Sequence, residues 1–342
     1  MFKVIKEGDI SFYAPVEKKI SKSLPVFYNP IMKLNRDISI LLLNALNNKN
    51  MQIALPLAGT GIRGVRFLKE LNEDIIENIS FNDYNSDATK LIKKNLKQNK
   101  MSEKFEINNE DANDFLLGSN GFDYIDVDPF GSPNLFLDSS VKRLSRRGIL
   151  AVTATDTASL CGTYPKVCMR RYWAKPVRDE LMYEVGLRIL IRKVQLIGAQ
   201  FDKALIPIFS YFRHHYFRIF FVCNKGKTHV DNMLKKHGEF NQAGPLWLGD
   251  LWDEKLVTKM NEINKFDEHE KFLSIIKEES KIHTVGYYDL HSLSKIKKLE
   301  SIPKTQVIFD KILKKGLVCS RTHFKDTALR TNITIEEFKK II

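Results

Sequence analysis

The stretch from Gly121 to Pro133 holds the densest chemistry in the chain. Phe122 to Val127 reads as a short buried strand that stops at Asp128, Pro129, Phe130 and Gly131. Pro129 has no N–H for the ladder and fixes its own φ, so the strand must end there. Three groups remain at the tip: the Asp128 carboxylate, the Pro129 carbonyl and the flat face of Phe130. Together they suit methylation of an aromatic amine. Such a nitrogen is a poor nucleophile, because its lone pair is delocalised into the ring. Two acceptors on its N–H groups return electron density and aim the lone pair, while an aromatic ring holds the base flat. Taken alone, Asp-Pro-Phe-Gly also reads as an ordinary turn.

A second group of residues could hold a nucleotide-like cofactor. Gly59, Gly61 and Gly64 fit G-x-G-x-x-G between a strand ending near Leu55 and a helix. The pattern lets a ligand approach the backbone beside a helix N-terminus, and it serves NAD, FAD and S-adenosylmethionine alike. Asp83 ends the next strand, where a ribose diol would be held. Asp111 can accept from an adenine amino group, and Ala112 can offer its backbone N–H. Arg36 falls in the first turn of a helix, where the dipole disfavours a cation. That placement suits a grip on a carboxylate, with a solvated arginine as the alternative. Phe27 and Tyr28 are loop aromatics that either pack on the domain or stack on a ligand.

These residues need elements to position them. Asn35–Asn47 reads as a helix capped by Asn35, with Ile38, Leu41, Leu42 and Ala45 on one face. Short strands at 52–55, 79–81, 105–107, 122–127 and 148–153 alternate with helices such as Ser86–Asn99, which predicts a mostly parallel sheet. Thr155–Lys175, with its Arg170-Arg171 pair, reads as a loop near the cleft. Arg178–Ala199 reads as a long helix with Arg188 and Arg192 on a solvated or phosphate-meeting side. Residues 203–212 and 216–223 read as a closing antiparallel hairpin. His214 and His215 at its turn point in different directions, so no metal site is assigned. The composition shifts near residue 228, dividing a domain 1–228 from a domain 229–342. The second contains the apolar knot Gly244–Gly249, helices at 289–298 and 304–315, and a wing at 316–331.

The chain has 342 residues, is 43% hydrophobic and carries a formal charge of +13. That surplus favours a polyanion, with a lysine-rich surface as the plainer account. No apolar run approaches the ~18 residues of a membrane span. The first residues lack signal-peptide features. The cysteines (Cys161, Cys168, Cys223, Cys319) form no CxxC pair. A cytoplasmic, reduced, metal-free protein is expected.

In combination the motifs carry a family resemblance. They are Val26-Phe27-Tyr28-Asn29-Pro30, Asn35-Arg36-Asp37, Gly61-Ile62-Arg63-Gly64, Asp126 to Pro133, Thr155-Asp156-Thr157-Ala158 with Leu160-Cys161-Gly162, Gly244 to Gly249, and Ser320-Arg321-Thr322-His323-Phe324. The chain resembles the archaeal-type tRNA (guanine(26)-N2)-dimethyltransferase (Trm1) family along nearly its whole length. The resemblance implies an α/β, Rossmann-like methyltransferase fold with a seven-stranded sheet ending in an antiparallel hairpin. A smaller α/β or winged-helix-like domain would follow and bind tRNA. It implies S-adenosyl-L-methionine as cofactor, tRNA as partner, and N2,N2-dimethylguanosine as product. Asp128 and the Pro129 carbonyl would be the acceptors, Phe130 and Phe27 would sandwich the guanine, and Arg36, Arg63, Asp83, Asp111 and Ala112 would surround the cofactor. Some members hold zinc in the C-terminal region. This chain has only Cys319 beyond residue 223, so no zinc site is expected. A monomer without an obligate protein partner is expected. The rival readings are an adenine-N6 methyltransferase, a dinucleotide-dependent oxidoreductase and a non-catalytic RNA-binding module.

Overall fold

The structure, a computed structural model, describes residues 2–15, 26–296 and 304–341. An antiparallel hairpin comes first, β1 (Phe2–Glu7) and β2 (Ile10–Pro15), with Glu7 opposite Ile10. Then strands and helices alternate: α1 (Lys33–Leu46), β3 (Met51–Leu55), α2 (Ile62–Glu70), β4 (Ile76–Asn82), α3 (Ser86–Gln98), β5 (Phe105–Asn108), α4 (Ala112–Gly118), β6 (Phe122–Val127), α5 (Asn134–Arg143) and β7 (Leu144–Ala154). The segment after β7 forms α6 (Thr157–Leu160) and α7 (Pro165–Tyr172), followed by α8 (Met182–Ala199), β8 (Lys203–Arg213) and β9 (Tyr216–Lys225).

Seven of these strands form one sheet in the order β5-β4-β3-β6-β7-β9-β8. The pairs β3–β4, β4–β5, β3–β6 and β6–β7 are parallel. The two-residue turn at His214-His215 makes β8 and β9 antiparallel neighbours. The expected α/β sheet with its closing hairpin is therefore present. The parallel strands are apolar because they are covered on both faces: Ile53, Ile79, Phe81, Tyr124, Ile125 and Val152 are all buried. From β3 the chain runs outward to β4 and β5, then returns to β6 on the other side of β3. The carboxyl ends of β3 and β6 thus flank a topological switch point, where such sheets bind ligands.

Packing divides the chain into two compact units. One comprises residues 1–155, 197–206 and 220–230, and the other 156–196, 207–219 and 231–342. The second unit adds α9 (Lys227–Leu234) in part, β10 (His237–Phe240), β11 (Ala243–Trp247), α10 (Glu254–Glu262), α11 (Glu270–Glu279), β12 (Tyr288–Asp289), α12 (Leu290–Ile296), α13 (Thr305–Leu313), β13 (Cys319–Thr322), β14 (Lys325–Thr331) and α14 (Ile335–Ile341). A three-stranded antiparallel sheet, β12-β14-β13, carries the expected wing. Leu290, Leu293, Ile308, Ile312, Leu329 and Phe338 form a small core beside it. The end of the helix expected at 289–298 lies outside the described residues.

Several local expectations are corrected. Asn35 does not cap α1: the helix starts at Lys33, and Asn35 is buried in its first turn. The helix read as Ser86–Asn99 ends at Gln98 and is capped by Asn85, which accepts the Asp87 N–H. The segment read as a loop at 155–175 contains α6 and α7. Pro165 opens α7, a position where its missing N–H costs nothing. Arg188 is 2% exposed and is neither solvated nor open to phosphate. Its Nε donates to Glu184 at 2.8 Å, and Nη1 donates to the carbonyls of Trp247 and Gly249 at 3.0 and 2.7 Å. The apolar knot is thus tied down by a buried cation.

A related cluster explains the wing motif. Arg330 donates to Glu184 at 2.6 Å and to Glu279 at 3.0 Å. His323 Nδ1 lies 2.6 Å from Glu279, while its Nε2 accepts the Phe212 N–H at 3.4 Å, which fixes the tautomer. Burial alone would raise the Glu279 pKa. His323 and Arg330 beside it, with hydrogen bonds from His323 and Thr322, instead bring it down to about 2.

Candidate active site

The glycine loop follows β3. Gly59 and Gly61 have φ of +53° and +74°, which side chains rarely tolerate. Gly64 lies within α2, where an added Cβ would sit 2.2 Å from the Phe81 ring. The third glycine therefore lets the helix press onto the sheet. Asp83 follows β4, and its Oδ2 accepts the Gly59 N–H at 2.8 Å while Oδ1 accepts the Asn85 N–H at 3.0 Å. Burial raises its pKa, and these two N–H donors offset part of that rise. Asn82, fully buried, donates to the carbonyls of Pro56 and Glu110 at 3.0 and 3.1 Å and accepts the Glu110 N–H at 3.1 Å. One amide stitches together the ends of β3, β4 and β5. Asp111 caps α4 by accepting the Asn113 N–H at 2.8 Å and stays exposed, and Ala112 begins the helix.

Asp83, Asp111 and Ala112 thus line the carboxyl ends of β4 and β5, next to a loop that presents bare backbone. This donor and acceptor set fits S-adenosylmethionine: carboxylates for hydroxyl and amino hydrogens, and N–H groups for a ring nitrogen. It also fits a dinucleotide, so this half of the site leaves the chemistry undecided.

The tip of β6 is more specific. Asp128 Oδ2 accepts from Arg63 Nη2 at 2.6 Å. The same guanidinium donates to Asn35 Oδ1 and Ser39 Oγ, each at 2.9 Å, and lies 3.4 Å from Asp126. Asp126 also accepts from the Tyr124 hydroxyl at 2.6 Å, and Asn35 donates to Thr153 at 3.2 Å. A buried polar chain from α1, α2, β6 and β7 therefore converges on one carboxylate that reaches solvent, with 23% of the Asp128 side chain exposed. The turn after it is clamped by Thr155. Its Oγ1 accepts the Gly131 N–H at 2.7 Å, and its N–H donates to the Gly131 carbonyl at 2.9 Å.

Phe130 meets Phe27 edge-to-face, with ring centroids 4.1 Å apart and planes at 69°. A base between two rings needs roughly 7 Å, so this pair is closed on itself. Neighbours of Phe27 are anchored. Tyr28 is buried against Phe12, and its hydroxyl donates to Glu7 at 3.3 Å. Asn29 caps the turn at Pro30–Met32. Arg36 does grip a carboxylate, that of Glu7, by two bonds of 2.6 Å, and its Nη2 also reaches the Asn29 carbonyl at 3.3 Å. Burial would raise the Glu7 pKa, but Arg36 and Arg66 bring it below the usual carboxylate range.

The structure thus gathers Phe27, Arg63, Asp83, Asp128, Pro129 and Phe130 around the switch point, with Asp111 and Ala112 at the next strand end and Arg36 behind the Phe27 loop. Sequence reading missed Asn82, Asp126 and Thr155, and it misplaced Asn35. Asp126 sits inside a quoted motif and Thr155 opens another, so only their partners were hidden.

Comparison with known proteins gives the family. The family profile described as N2,N2-dimethylguanosine tRNA methyltransferase matches residues 8–239 and 234–342. A tRNA (guanine(26)-N(2)/guanine(27)-N(2))-dimethyltransferase from Aquifex aeolicus is 40% identical, covering 98% of this chain and 95% of that protein. A tRNA (guanine(26)-N(2))-dimethyltransferase from Pyrococcus furiosus is 38% identical, covering 99% and 97%. Trm1 from Pyrococcus horikoshii, solved with S-adenosyl-L-methionine, superposes with a TM-score of 0.89 at 35% identity, covering 99% of both chains. The chain belongs to the N2,N2-dimethylguanosine tRNA methyltransferase family.

Proposed function

We propose that this chain transfers methyl groups from S-adenosyl-L-methionine to the exocyclic N2 of guanosine 26 in tRNA, giving N2,N2-dimethylguanosine. The observation that carries the residue-level reading is the Arg63–Asp128 pair at the tip of β6, where the buried polar chain reaches solvent. Arg63 engages Oδ2, which leaves Oδ1 to accept an N–H of the guanine amine. The Pro129 carbonyl accepts the other. When bound, S-adenosylmethionine supplies an electrophilic methyl on its sulfonium. The amine nitrogen would bond to that methyl as its bond to sulfur breaks and the neutral thioether leaves, and Asp128 would receive the proton the nitrogen sheds, so no base of high pKa is needed.

Phe27 and Phe130 hold the flipped guanine after parting from their edge-to-face contact. Extruding a base costs a few kcal/mol, and the rest of the tRNA must offset it. Asp83, Asp111 and Ala112 hold the nucleoside part of the cofactor, and Arg63 and Arg36 are the cations for its carboxylate end. For Arg36 this requires exchange from Glu7. Residues 1–228 form the catalytic part and 229–342 the tRNA-binding part of a cytoplasmic monomer. Among the described residues no helix is long and apolar enough to cross a membrane.

The test is methyl transfer from labelled S-adenosylmethionine to unmodified tRNA transcripts with guanosine or adenosine at position 26, followed by nucleoside analysis. Dimethylguanosine that vanishes with the adenosine transcript is the expected result. Label in duplex DNA, and none in tRNA, would replace this reading with adenine methylation. Retention of NADH rather than S-adenosylmethionine would replace it with redox chemistry.

A further inference from the structure

The segment 156–175 belongs to the second unit. Its inner side is fixed. Cys168 and Tyr172, one turn apart on α7, are buried, and the Tyr172 hydroxyl donates to Asp156 at 3.3 Å. Asp156 also accepts from Ser159 at 2.8 Å and from Arg171 at 2.8 Å. Beyond the helix, Lys175 and Gly244 exchange two backbone hydrogen bonds of 2.7 and 2.8 Å.

The outer side is different. Lys166, Arg170, Arg171 and Lys175 are exposed, and they are interleaved with two exposed aromatics, Tyr164 at 58% and Trp173 at 46%. Trp173 sits in the left-handed region at φ 57°, rare for a bulky residue, and strain of this kind concentrates at functional positions. It is held there from both ends. Its carbonyl accepts from Arg192 at 3.3 Å, and the Lys193 ammonium lies 3.0 Å from its ring centroid.

We infer that this face of α7 is an RNA-docking surface: its cations neutralise tRNA phosphates, and Trp173 stacks on an unpaired nucleotide. Lys166 and Arg170, one turn apart on α7, lie beside an exposed aromatic ring and complement a polyanion with exposed bases. The inference rests on RNA being the substrate. An anionic membrane would also meet cations and aromatics, so it is an arm of the test.

The experiment compares wild type with the Lys166→Glu/Arg170→Glu double variant and with Lys93→Glu/Lys97→Glu. The control pair is exposed on α3 of the first unit and changes the net charge equally. Affinity for a tRNA transcript is measured by gel shift across a salt series, alongside KM, kcat and binding to phosphatidylserine vesicles. The α7 pair raises Kd and KM about tenfold or more, leaves kcat within about twofold, and flattens the salt slope by about 1.5. The α3 pair changes none of these. Trp173→Leu raises Kd about fivefold with an unchanged salt slope. Equal losses from both pairs, no loss from the α7 pair, or vesicle binding that the α7 pair abolishes while tRNA binding survives would each overturn the inference. If wild type methylates no tRNA but the α7 pair still weakens tRNA binding selectively, the proposed function fails and the docking surface stands.

Discussion

Two arginine–carboxylate clusters in this molecule look alike in a list of distances and differ in what they do. Arg63 meets Asp128 at 2.6 Å in the first unit, and Arg330 meets Glu184 at 2.6 Å in the second. Around Arg330 every charge is sealed, with Glu184 and Glu279 side chains at 1% and 0% exposure. Around Arg63 the network ends on a carboxylate with one edge in solvent. A sealed cluster can hold elements together, and an open one can also act on a ligand. What separates structure from chemistry here is where the hydrogen-bonding capacity stops, not the strength of the ion pair.

The largest expected effect breaks the open cluster. Asp128→Ala lowers kcat by at least about 10²–10³-fold while tRNA affinity stays within a few-fold, as single-turnover methylation and gel shift will show. Turnover near wild type would remove Asp128 from the chemistry. The sealed cluster should fail in the opposite way. Glu279→Ala removes one of the two buried carboxylates that hold Arg330 and leaves its Nε without that acceptor, so denaturant unfolding should show a loss of about 3 kcal/mol, with the rate per folded molecule unchanged.

The same cluster predicts an acid dependence. The folded Glu279 pKa, about 2, lies below its ordinary value of 4.5. Its contribution to stability is therefore complete above pH 4.5 and is lost as pH falls toward 2. Unfolding midpoints of Glu279→Gln and wild type should converge over that window; a constant gap would contradict the assignment.

Smaller changes sharpen the comparison. Phe27→Ala should lower the methylation rate about tenfold and leave S-adenosylmethionine affinity nearly unaltered; a loss confined to cofactor affinity would move Phe27 out of the guanine site. Thr155→Val removes the acceptor of the Gly131 N–H and costs about 1 kcal/mol. That cost should appear in kcat more than in thermal stability, because the turn it clamps carries Pro129 and Phe130.

Much of the fold was legible because it depends on local pattern. Short runs such as Ile53–Leu55 and Tyr124–Val127, bounded by glycine and proline and alternating with helical stretches, read as buried strands, and G-x-G-x-x-G together with Asp-Pro-Phe-Gly marks two strand ends. The strand order was not legible, because nothing local says that β6 returns to the far side of β3. Partners were hidden for the same reason. Arg36 in a first turn correctly signalled a carboxylate, but Glu7, 29 residues away, could be known only from the fold. Arg188 was misjudged because amphipathic spacing does not reveal carbonyls waiting at Trp247 and Gly249. Helix α7 was lost among polar and aromatic residues, since its buried stripe is only Cys168 and Tyr172.

The most direct test of the central claim is a tRNA carrying inosine in place of guanosine 26. Inosine keeps the purine ring and its stacking faces but lacks the exocyclic amine that Asp128 and the Pro129 carbonyl would hold. The account predicts that this tRNA binds within a few-fold of the guanosine form and takes up no methyl label. Label in the inosine tRNA at the rate of the guanosine tRNA would contradict it.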